Sequence, residues 1–176
     1  MYLLNADRAV LSPITLNFDY STTEKLTHLF EQENISSIAF QSVLVAAIQI
    51  VERVREEEVA VSKAAISLGH RQQLSQMLAS IDSMTQLLRS ALNDQGSRIL
   101  DLQPRELGLD DTHNSWWFCL ARAIEALNAG MDWINSIVSG QQRESPTRVL
   151  AIIVTDFLEQ HHHQFDCEIR NNDELH

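Results

Sequence analysis

Apolar residues recur every three or four positions from Phe40 to Leu68, through Leu44, Ala47, Val51, Val54, Val61 and Ala65, with Glu58 as the one polar break. They recur again from Leu74 to Leu92, through Leu78, Ile81 and Leu88, with Thr85 as the polar interruption. A chain turns that spacing into one continuous face only by coiling at about 3.6 residues per turn, so both runs read as long α-helices, near 37–68 and 71–93. The short joint at Gly69-His70 makes them an antiparallel hairpin, with Gly69 expected as the left-handed residue that closes the first helix. Only 5 Gly and 3 Pro occur in 176 residues. That is too few breakers for the many turns of a β-sandwich.

Three more helices follow from the same reading. Ser21 and Glu24 fit a capping box and start a short helix to about Gln32. Asp111 or Thr112 caps a helix running from about His113 to Ser139, closed by Gly140. Its apolar residues occupy most of the circumference, which places it at the centre, with Ile124, Leu127, Met131 and Ile134 buried. Ser145-Pro146 starts a fifth helix to about His163. Ile14–Tyr20 alternates apolar and polar residues, the pattern of an extended arm. The expected fold class is all-α: a four- or five-helix bundle with a long helical hairpin and an extended N-terminal arm. Residues 1–165 form a single helical domain with the arm at 1–20, and 166–176 form a polar, acidic tail that frays.

The formal net charge is −11. Residues 1–60 and 156–176 carry nearly all of it, while 61–155 are close to neutral. An acidic chain repels phosphate backbones, so direct nucleic-acid binding is disfavoured and a basic protein partner favoured. The N-terminus has no basic, apolar leader pattern. The most apolar run, Val43–Val51, is far short of the roughly 20 residues that span a bilayer. Cys119 and Cys167 form no C-x-x-C pair and no disulfide framework. These features point to a soluble, cytoplasmic protein.

No catalytic residue and no cofactor follow from the motifs. The glycines are scattered, which removes phosphate-cradling loops, and no His-Glu-x-x-His or Gly-x-Ser-x-Gly run occurs. His161-His162-His163 is the one conspicuous cluster. Consecutive helical residues point about 100° apart, so the three do not face one ion. Glu159 with His162 or His163 has helix-face spacing, and these three are the metal candidates. The competing reading is a solvated helix end whose histidines complement the negative dipole. It is favoured because di-iron bundles need a second Glu-x-x-His, which is missing. Glu52, Glu56, Glu57 and Glu58 form a dense acidic run. It reads as a solvated face or, more sharply, as a docking patch for a basic partner.

The function expected from these features is a non-enzymatic helical interaction protein, regulatory, adaptor or inhibitor-like, acting through protein–protein contacts. A second apolar stripe on the long helix, Ile38, Val45, Ile48 and Val59, makes a homodimer the expected assembly. The first alternative is a metal-binding helical bundle or a metal-dependent enzyme built from scattered His, Asp and Glu. The second is an acidic nucleic-acid mimic.

Overall fold

The second helix packs broadly against three of the other four and meets the remaining one at the Phe30–Phe40 ring contact. In the computed structural model, residues 20–32, 36–65, 67–94 and 115–173 are described. They form five helices: α1 Tyr20–Phe30, α2 Ile38–Ala64, α3 Leu68–Asp94, α4 Trp116–Val138 and α5 Pro146–Asp173. Helix accounts for 89% of these residues, and none of them lies in a strand. The all-α bundle and its long hairpin are therefore present. Most of the expected arm, residues 1–19, lies outside the described residues, and Tyr20 already belongs to α1.

Serine oxygens set four of the helix starts. Ser37 Oγ accepts the Phe40 N–H at 3.2 Å and Ser115 Oγ accepts the Phe118 N–H at 3.3 Å. Ser145 Oγ accepts the Arg148 N–H at 3.3 Å, with Pro146 in the first helical position as expected. The joint between α2 and α3 departs from expectation. Ala65, in extended conformation, ends α2, and Ser67 caps α3 by accepting the His70 N–H at 3.1 Å. Gly69 therefore sits in the first turn of α3. A side-chain acceptor satisfies an orphan N–H directly, and here that outweighs the freedom of glycine to end a helix. Leu68, expected to face inward, is 75% exposed.

Helix α5 extends about ten residues beyond the expected end near His163, so residues 166–173 of the anticipated tail are helical. No Gly or Pro follows Pro146 to stop it. Phe165 is fully buried, and Gln164 accepts a hydrogen bond from Gln73 of α3 at 2.9 Å. Those contacts carry the helix past the histidines.

The bundle is centred on α2, not on α4. Helix α2 packs against α3, α4 and α5, while α1 packs on α3 and α5. Val51, Val54 and Val61 are completely buried along α2. Its second stripe is mostly covered within the chain. Ile48 is buried and Val45 and Val59 are half-buried, leaving only Ile38, at the first helical position, exposed. Helix α4 buries Cys119, Ala123, Leu127, Gly130 and Ile134. Ile124 and Met131 are half-buried, and Trp117, Phe118 and Trp133 remain 45–52% exposed. An apolar circumference therefore marks an edge helix with surplus apolar surface here.

Two ion pairs between α2 and α3, Glu52–Arg89 and Arg55–Asp82, fix the antiparallel register of the hairpin. Gly130 lies opposite Ile50 and Arg122 bonds Glu57, so α4 is antiparallel to α2 as well. The approach at Gly130 is close: a β-carbon there would lie 2.6 Å from Ile50 Cγ2. Leu127→Ala should cost about 2–5 kcal/mol in urea denaturation. Gly130→Ala should also destabilise. Better helix propensity contributes about 1 kcal/mol, and overpacking against a β-branched side chain costs about 1–3 kcal/mol. In an Ile50→Ala background the sign should reverse, and a Gly130→Ala variant that is stabilising in both backgrounds would refute the close approach.

Candidate functional site

Neighbouring residues on a helix diverge by about 100°, and the acidic run of α2 shows what that does. Glu52 accepts Arg89 of α3 at 2.7 Å. Glu56 stays near the surface, 3.5 Å from Arg53. Glu57 is 4% exposed and turns toward α4. Its Oε1 accepts Arg53 Nη2 at 2.8 Å and Arg122 Nη2 at 2.7 Å. Glu58 is fully buried and turns toward α5. The four candidates for an acidic docking patch therefore do not form one surface. Each is engaged within the chain, and two are in the interior.

Glu58 meets a residue that the sequence reading passed over. His161 is completely buried, its Nδ1 2.6 Å from Glu58 Oε1 and its Nε2 3.5 Å from Ser80 Oγ on α3. The Phe157 ring packs on the imidazole with centroids 4.5 Å apart. Leu150, Val154, Leu158, His161 and Phe165 recur at helical spacing, so the core position of His161 was legible as a member of the apolar stripe. Serine, imidazole and carboxylate here share the connectivity of a nucleophile triad. Ser80, however, is 5% exposed in the middle of α3, where main-chain N–H groups bond one turn back. No pair of them is left to stabilise an oxyanion. The cluster ties α2, α3 and α5 together. Glu58 Oε2 has no partner among the described residues, so the pair is held by one short hydrogen bond.

The metal candidates separate. Glu159 and His163 are exposed, and His162 is half-buried with Nδ1 3.4 Å from Asp166. His163 Nε2 lies 3.7 Å from Cys167 Sγ. Among the described residues no three His, Cys, Asp or Glu gather in a way that could hold a metal ion. Cys119 is buried, and that burial, partly opposed by Arg122, pushes its thiol above the ordinary range.

Among the described residues, a concavity lies between α2 and α4. It has a volume of about 360 Å³ and is lined by Gln49, Ile50, Arg53 and Glu57 of α2 and by Arg122, Glu125, Ala126, Ala129, Gly130 and Trp133 of α4. The tight Gly130–Ile50 contact forms its floor, with Leu158 of α5 beneath. Trp133 stands at one end, 45% exposed. Arg122 stands at the other, under the Phe118 ring at 5.9 Å from its centroid. Small residues on the α4 side leave room for an incoming backbone, and two guanidiniums converge on a single buried carboxylate. Of these residues, sequence reading singled out only Glu57 as a site candidate, as part of the acidic run, because the groove arises from the pairing of two helices far apart in the chain. Compared with protein-family models, curated proteins and solved structures, the chain finds no match in any of the three.

The Glu58–His161 pair generates a stability prediction. His161→Ala leaves Glu58 buried without its partner and should cost about 3–5 kcal/mol. Glu58→Met combined with His161→Leu should cost far less than that single change, because an apolar pair of similar volume needs no charge compensation. Urea titration of these variants and of the single changes Glu58→Met and His161→Leu checks this, and a double variant whose loss equals the sum of those two single losses would show that the side chains do not interact.

Proposed function

We propose that this chain is a non-enzymatic helical interaction protein whose partner docks on the groove between α2 and α4. The observation that carries the reading is the α4 edge itself. Arg122, Ala126, Ala129 and Trp133 form one strip along the groove, and Trp133 and Phe118, the latter stacked on Arg122 just beyond it, are about half exposed. Large aromatics and arginine beside small residues are the usual makings of a binding hot spot. An edge helix with surplus apolar surface and, among the described residues, no helix packed on that side calls for a cover.

The same observation relocates the interface from α2, whose second stripe α3, α4 and α5 largely cover. It also weakens the mimic alternative, because the acids of α2 that would imitate phosphates are held in internal pairs. No described helix is long and apolar enough to cross a membrane. We place the protein in the reducing cytosol on the strength of its two free thiols.

The test is site-specific photo-crosslinking in the native host. A benzophenone side chain at Ala129 should yield a discrete protein adduct, whereas one at Gln86, exposed on α3, should yield none. Equal adducts from both positions, or none from Ala129, would remove the groove as the docking face.

A further inference from the structure

Glu159, His162 and His163 do not gather around one point, but His163 has a different neighbour. Its Nε2 lies 3.7 Å from Cys167 Sγ, one turn further along α5. Residues four positions apart share a face of a helix, so the two side chains leave α5 on the same side. His163 is exposed and Cys167 half-buried, and an ion in solvent can reach both. Two residues between them, Gln164 and Phe165, hold that stretch of helix to the core. Gln164 bonds Gln73 of α3 at 2.9 Å, and Phe165 is fully buried. The backbone under the pair is therefore fixed, and only side-chain rotation remains to be settled on binding.

The separation matches the bite of a tetrahedral metal centre. With zinc–nitrogen and zinc–sulfur bonds of about 2.0 and 2.3 Å at the tetrahedral angle, the two donors stand about 3.5 Å apart. A small rotation of either side chain closes the difference. Imidazole nitrogen with thiolate sulfur selects zinc over calcium or magnesium, which take oxygen donors. The charge around the pair agrees, since residues 156–176 carry six acids and one base. A field of that sign draws cations toward this end of the chain.

We propose that His163 and Cys167 chelate one Zn²⁺ per chain, Cys167 as thiolate with its proton released to solvent, and water in the remaining positions. Neighbouring helical residues diverge by about 100°, and His162 turns instead to Asp166, so it takes no part. Two protein donors leave two positions open. That describes an exchangeable site, unlike the closed four-ligand centres that hold folds together. The site does not depend on the docking reading above.

Titration of the reduced, intact protein with Co²⁺, the spectroscopic probe for Zn²⁺, tests this. A thiolate-to-cobalt charge-transfer band should appear, saturate at one ion per chain and bleach when Zn²⁺ is added. Cys167→Ser should abolish the band. His163→Ala should weaken binding about tenfold or more, and His162→Ala should leave it unchanged. These substitutions fall outside the core and should leave the melting temperature of the metal-free protein where it is. A spectrum without the band would show that the pair is joined by a thiol–imidazole hydrogen bond alone and would overturn the assignment. So would a band that survives Cys167→Ser, or equal losses from His162→Ala and His163→Ala.

Discussion

Glu57 and Glu58 are adjacent, both nearly inaccessible to water, and both on the helix that the others surround. Burying a carboxylate costs several kcal/mol unless opposite charge and hydrogen bonds meet it. The 100° between the two side chains sends one to Arg122 on α4 and the other to His161 on α5. With Glu52–Arg89 added, α2 has a polar connection to each helix packed against it. Apolar contact alone holds helices together without choosing a register, because a stripe of Val and Leu can slide by a turn at modest cost. A buried carboxylate cannot slide away from the group on the neighbouring helix that compensates it, and the pairs on α2 therefore fix where each neighbour stops.

The groove is a by-product of that arrangement. Arg122 is held down by Glu57 and Gly130 by Ile50, which leaves the α4 side between them shallow and lined by alanine. The large apolar residues of α4, excluded from the centre by α2, are displaced to the rim. One helix thus supplies both packing for the core and exposed aromatic side chains at and beside the groove.

Much of the bundle was legible in the sequence. The two heptad-like runs became the hairpin, and Ser37 and Ser145-Pro146 act as start signals because capping is local chemistry. The errors have one physical source. Periodicity reports how many sides of a helix are apolar but not how many neighbours it has. Hence α4 was expected at the centre, Leu68 inside, and Glu57 and Glu58 in solvent. His161 was legible in principle, since it keeps step with Leu158 and Phe165, but a run of three histidines drew attention to metal chemistry. The pairing of Glu57 with Arg122, 65 positions apart, had no signal in a single sequence.

Leu158 lies under Gly130, and His161 is the partner without which Glu58 is stranded; both belong to α5, the last helix in chain order. Chains fold as they are synthesised, from the N-terminal side. A polypeptide that has so far delivered only α2, α3 and α4 still lacks the groove's foundation and holds an uncompensated carboxylate in its would-be interior. A prematurely terminated product is therefore left open to proteolysis.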